Sequence, residues 1–327
     1  MSADNSCPDV SVPLRNLLNS VQCIRDRVKD GESNESSGGF NLQNFWDTLN
    51  QAVKAVSRGH KAEPCLFKTS SAFTTGWRKT HRIHSEDQGI TLRKVVRDAT
   101  AEVLDGIVQL IDIILSSPLQ SLSQEQLTST GGVWSACDQF AHLPKDNKAA
   151  VLESMVSCVR VVKDAIEEME QAQADSHDPF GDVLDDEDLD SRGNQDTYWS
   201  ESDRQLMAPC QGLMKASAAC LRKLSAAVRA NGKVDTPENI AQLDDLADIT
   251  KEISPSVDDL ALSLYPPMDY SGVENNASKL ASVLKKVLEI TRASHVCLEG
   301  DLNWVQFLDG AVEHNLQKVK ALAQGSS

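Results

Sequence analysis

Aromatic side chains are scarce in this chain. Phe, Trp and Tyr make up 5% of its 327 residues, and most apolar positions fall to Leu, Val, Ile and Ala. That palette suits helix packed on helix better than a sheet sandwich. Turn formers are few as well, 17 glycines and 11 prolines, a share below the roughly 12% of average proteins, so long elements with few breaks are expected. Basic residues are outnumbered, 32 Lys and Arg against 48 Asp and Glu, which leaves a formal charge of −16. Such a balance repels nucleic acid and anionic lipid over most of the molecule. The longest apolar stretch, Ile111 to Leu115, is broken by Asp112 and is far too short for a membrane span. The first ten residues lack the basic-then-apolar pattern of a secretory leader, and a cytoplasmic and nuclear location is expected.

Catalytic signatures are missing too. No Gly-rich phosphate loop, GxSxG elbow, HExxH helix or dinucleotide fingerprint occurs. The eight cysteines include no CxxC pair, and in a reducing compartment they read as small buried hydrophobes. His81 and His84 are spaced to share a metal with Cys65, yet no fourth ligand is at hand. His142, His177, His295 and His314 stand isolated, which suggests surface or bundle-edge positions. No catalytic, metal or cofactor residue is assigned, and the chain is expected not to be an enzyme.

What is present is helical periodicity. Apolar residues recur at steps of three and four over Val10–Val28, Leu42–Val56 and Ile90 to Ser116, where Ser117-Pro118 stops the pattern. A shorter helix is expected over Gln124–Phe140 with Trp134 as its main anchor. The longest runs from about Pro144–Asp146 to Ala174, on a seam of Leu152, Met155, Val159, Val162, Ile166 and Met169 that steps alternately by three and four. The seam either packs in a bundle or is offered to a partner. Between Gly59 and Ser85 the period lapses into a basic, irregular stretch that reads as a loop.

Asp175 to Asp190 holds eight acids and no Lys or Arg. A block of that composition self-repels and cannot bury enough apolar surface to offset its ordering entropy. It is read as a disordered linker over 175–199 that divides an N-terminal bundle (1–174) from a C-terminal one (200–327). In the second half Ser200 caps a helix that Asn231-Gly232 stops. Thr236-Pro237-Glu238 starts the next, Ser254-Pro255-Ser256 a short one that ends at Pro266-Pro267, and two more run over Glu274–Ala293 and Leu302–Ala323. The fold class is therefore all-α, two antiparallel helical bundles. Ser117, Thr236 and Ser254 each precede proline, the minimal target of proline-directed kinases, and each also sits where a helix end wants a capping hydroxyl.

Several collinear segments resemble the family of cyclin-D-binding proteins: Asp87-Gln-Gly-Ile-Thr-Leu-Arg-Lys94, Pro144-Lys-Asp-Asn-Lys-Ala-Ala150, Val162-Lys-Asp-Ala165 with Glu167-Glu-Met-Glu-Gln-Ala172, Tyr198-Trp-Ser-Glu201, Ala241-Gln-Leu-Asp-Asp245, Ile253 through Ser263, Tyr265-Pro-Pro-Met268, Ser282-Val-Leu-Lys-Lys286 and Leu288-Glu-Ile-Thr291. The resemblance implies bundles similar to those of talin, vinculin and α-catenin. It implies D-type cyclin, helix-loop-helix transcription factors and a signalling adaptor protein as partners, and regulation of cell cycle and transcription by sequestration. A cytoskeletal or adhesion adaptor is the alternative that the bundle class alone suggests. The sequence reading puts partner contacts on the seam from Leu152 to Met169, with Asp185, Asp186, Glu187 and Asp188 steering a basic partner toward it. The chain departs from the family over Gly59–Ser85, where Gly76-Trp-Arg-Lys-Thr-His-Arg-Ile-His84 stands in place of apolar periodicity.

Overall fold

The computed structural model describes residues 11–30, 42–59, 88–116, 123–175 and 199–325. The Gly59–Ser85 departure beyond Gly59, the acidic block after Asp175, and Ser117 all lie outside them. All secondary structure among the described residues is helical. It falls into two compact units, Met1–Lys145 and Asp146–Ser327.

The first unit holds α1 (Ser11–Asp30), α2 (Leu42–Gly59), α3 (Ile90–Ser116) and α4 (Gln124–Phe140). α1 packs on α3, α3 on α4 and α4 on α2. The expected apolar positions supply the core: Val21 and Ile24 of α1, Leu49 and Val53 of α2, and Leu92, Val96, Val103 and Ile111 of α3 are buried. Gly89 enters α3 with φ 87°, a left-handed conformation open to glycine at no steric cost. In α4 the sequence reading needs correction. Trp134 is 44% exposed, and the helix is anchored by Val133, Ala136, Cys137 and Phe140. Position 134 falls beside that stripe, and the helix followed the stripe over the larger single side chain. Trp46 closes the unit: its indole N–H donates to the Lys145 carbonyl at 3.1 Å, and the Lys145 ammonium lies 4.2 Å from its ring centre.

The second unit contains α5 (Asn147–Asp175), α6 (Glu201–Asn231), α7 (Pro237–Lys251), α8 (Ile253–Ser263), α9 (Tyr270–Ala293) and α10 (Leu302–Gly325). Only Glu252 separates α7 from α8, so the two act as one bent column. The packing closes on itself: α5 against α6, α6 against α10, α10 against α9, α9 against α7 and α8, and these against α5. Each column turns an apolar stripe inward, such as Leu213, Leu221 and Val228 of α6 or Leu280, Leu284 and Val287 of α9. α6 and α10 approach closely at Gly212, where any side chain would collide with Asn315.

Here the domain boundary differs from the sequence reading. The long helix over 147–175 belongs to the second unit, because its seam is buried in that unit's core. The first bundle therefore ends at Lys145 rather than at 174.

Helix ends follow local chemistry. Asp146 accepts from the Ala149 N–H at 2.8 Å and starts α5. Ser200 and Asp203 form a reciprocal capping box on α6. Gly232 ends α6 in an extended conformation (φ −60°), without the left-handed turn usual for a C-terminal glycine; its N–H returns to the Val228 carbonyl, and a Cβ there would lie 2.6 Å from that oxygen. α9 begins a turn earlier than the apolar pattern suggested, because Asp269 caps it by accepting from the Ser271 N–H.

Candidate interaction surfaces

The seam of α5 does not form an open face. Met155, Val162 and Met169 are fully buried, and Leu152, Val159 and Ile166 are partly buried against the same core. Of the two uses the spacing allowed, the helix takes bundle packing. Its outer side carries Lys163 paired with Glu167 at 2.7 Å, Glu170 paired with Lys215 at 2.7 Å, and Val156, which is half exposed. Asp185, Asp186, Glu187 and Asp188 lie outside the described residues, as do His81, His84, Cys65 and His177.

One end of the second unit gathers four of the family-like segments. The Trp199 indole N–H donates to the Leu264 carbonyl at 2.7 Å, and its ring centre lies 6.0 Å from that of Tyr265. The Tyr270 hydroxyl donates to Asp203 at 2.6 Å, while the other oxygen of that carboxylate accepts from the Ser200 N–H at 2.8 Å. Burial works to raise the Asp203 pKa, but the hydrogen bonds from Tyr270 and Ser200 outweigh it and hold the carboxyl below its ordinary 3.8. Glu168 of α5 accepts from the Tyr265 hydroxyl; burial first and then this carboxylate push the phenol's pKa up. Asp258 is raised by burial and then by its neighbours Asp259 and Glu168. Beside these acids Leu262 stands 71% exposed. The result is an acidic, aromatic corner with one apolar knob. By sequence, the acidic block departs from α5 here and returns at Trp199.

The opposite turns hold a polar clasp that the sequence did not reveal. His295 is not isolated: its Nε2 accepts from the Lys233 N–H at 3.0 Å, and its Nδ1 lies 2.8 Å from the Gln242 side-chain oxygen. A ring that accepts at Nε2 carries its proton at Nδ1, so one neutral tautomer satisfies both bonds. Desolvation lowers the His295 pKa and favours that form. Asn231 adds a bond to the Val296 carbonyl at 2.8 Å. His142 and His314 are exposed, as expected.

Nothing in this arrangement pairs a nucleophile with a base. Among the described cysteines, Cys137, Cys158, Cys210 and Cys220 are buried, whereas Cys23 is exposed and Cys297 intermediate. Burial drives the Cys210 and Cys220 thiols up to about 12, which keeps them protonated. Among the described residues no group of three His, Cys, Asp or Glu is placed to hold a metal, and no helix is long and apolar enough to cross a membrane.

Fold and surface thus define a helical-bundle protein with closed cores and charged, partly aromatic outer faces. The comparisons with known proteins give it a place. The N-terminal model of the Grap2 and cyclin-D-interacting family matches residues 71–175, and the C-terminal model residues 184–289. Cyclin-D1-binding protein 1 homolog of Danio rerio is 59% identical and the two chains cover each other fully. The Xenopus laevis homolog is 53% identical over 96% of this chain and 99% of its own. Human Cyclin-D1-binding protein 1 is 40% identical over 98% of each. The chain belongs to the Grap2 and cyclin-D-interacting family. The two family models part at the acidic linker, whereas the compact units part at Lys145 and Asp146.

Proposed function

We propose that this chain binds a D-type cyclin and regulates the cell cycle by sequestration, making and breaking no covalent bond. The observation that carries the reading is its similarity over the full length to proteins named for binding cyclin D1. A closed core supports a surface mode of binding: opening the α5 seam would expose Met155, Val162 and Met169 at about 1.5–3 kcal/mol each, so the partner meets the bundle's exterior. Titration with a purified D-type cyclin tests the reading, with saturable binding expected.

A second partner class, helix-loop-helix transcription factors, is favoured by the acidic corner. Glu168, Asp258 and Asp259, together with the acidic block tethered there, attract a basic segment, and Leu262 offers an apolar contact. On this reading Asp185, Asp186, Glu187 and Asp188 steer the encounter and the corner replaces the seam as the contact. Replacing Asp258 and Asp259 with Asn should slow association and weaken its salt dependence; unchanged kinetics would remove the corner from the account. The signalling adaptor in the family's description is a third partner. The cytoplasm and nucleus are the compartments in which these partners would be met.

A further inference from the structure

Two of the three Ser/Thr-Pro dipeptides lie among the described residues, and their surroundings differ. Ser254 sits in the first turn of α8 with helical backbone, half-buried, its hydroxyl hydrogen-bonded to the Cys158 thiol of α5. A kinase could reach it only by unwinding α8 and parting it from α5. Thr236 lies in a run, Lys233 through Glu238, in which every residue is exposed. Its own backbone is extended (φ −131°, ψ 151°). Its Oγ uses one lone pair to accept from the Asn239 N–H at 3.1 Å, which leaves the hydroxyl proton and the other lone pair available. The segment is anchored just upstream, at Lys233 through His295, so it is presented rather than frayed.

Phosphoryl transfer needs the attacking oxygen in line with the γ-phosphorus at about 3–3.5 Å, which requires free main chain on either side of the hydroxyl. Thr236 meets that requirement in the folded protein and Ser254 does not. From this contrast we infer that Thr236 is a phosphorylation site for a proline-directed protein kinase acting on the folded chain. The Thr236 Oγ–phosphorus bond forms as the bond from the γ-phosphorus to the bridging oxygen of ATP breaks; ADP leaves, and the hydroxyl proton passes to the kinase's carboxylate base. The phosphate keeps the capping role, since its oxygens accept from the same first-turn N–H groups of α7, and Lys233 lies on the same exposed segment to offset its charge. It adds negative charge to a turn that already holds Asp235 and Glu238.

The test is to incubate the full chain with a purified mitogen-activated protein kinase, ATP and Mg²⁺, and to map phosphate by mass spectrometry. Phosphate at Thr236 in the native protein is expected, with none at Ser254. Pro237→Ala keeps the hydroxyl cap but removes the kinase determinant and should lose the modification. Thr236→Ser, which keeps both, should retain it and guards against a folding artefact. Phosphate on Pro237→Ala at the level of the parent, absence from Thr236 in the native chain, or appearance only after unfolding in urea would each overturn the assignment.

Discussion

Asn147 donates from its side-chain nitrogen to a carboxylate oxygen of Asp244 at 3.0 Å, with both side chains buried. The bond ties the first turn of α5 to α7, across 97 residues of sequence, and fixes where α5 starts against the bundle. Asn147→Ala removes a donor from a buried carboxylate, and a loss of about 1–3 kcal/mol is expected. It should appear as a lower urea midpoint with unchanged slope. A midpoint within error of the parent would mean that α5 docks without this tie.

The seam offers a sharper contrast along a single helix. Val162→Asp places an unpaired charge in the core and should cost about 4 kcal/mol or more, leaving the second unit globally unprotected in hydrogen exchange. Val156→Asp, on the outer side of the same helix, should change stability by no more than about 0.5 kcal/mol. Val159→Asp falls between them, since Val159 is only partly buried against the core.

That contrast also shows what the sequence could say. The three-and-four spacing of Leu152 through Met169 located the helix and its inward face, because periodicity reports which side is apolar. It could not say which unit that side faces. The acidic block was the strongest break in composition, and it misplaced the boundary by one helix, since a chain can leave a bundle and return to it. Side chains whose partners lie far away in sequence were illegible for the same reason. His295 looked isolated because Lys233 and Gln242 are more than fifty residues distant, and Trp199 gave no sign of Leu264. Caps, which are local, were read correctly at Ser200 and Thr236 and overlooked at Asp269.

The Asp203 carboxyl, held below its ordinary 3.8 by Tyr270 and Ser200 against the effect of burial, links the corner to pH. A depressed carboxyl stabilises the fold above its unfolded pKa, and that contribution is lost as pH falls through the folded value. Tyr270→Phe should therefore cost about 1 kcal/mol at neutral pH. The difference from the parent should shrink as Asp203 becomes protonated. Urea midpoints of both proteins at pH 7 and in acid check this, and a gap that is the same at both pH values would contradict it.

His295 gives a second acid-sensitive point with a separate readout. Its lowered pKa means that the unfolded chain takes up a proton first, so its contribution is complete above 6.5 and fades as pH falls through the folded value. Protonation also ends the ability of Nε2 to accept from the Lys233 N–H. Amide exchange at Lys233, corrected for its intrinsic pH dependence, should lose protection over that range, while the Gly232 amide, bonded to the Val228 carbonyl, keeps its own.

The central claim is that a folded, closed bundle binds a D-type cyclin through its outer surface. Isothermal titration of the purified chain with a purified D-type cyclin tests it most directly, run beside Leu262→Asp with its helicity verified by circular dichroism. The account predicts saturable binding by the parent and weakened binding by the equally folded variant. A folded parent that gives no saturable binding would contradict the function, and a variant that binds as tightly as the parent would contradict the surface.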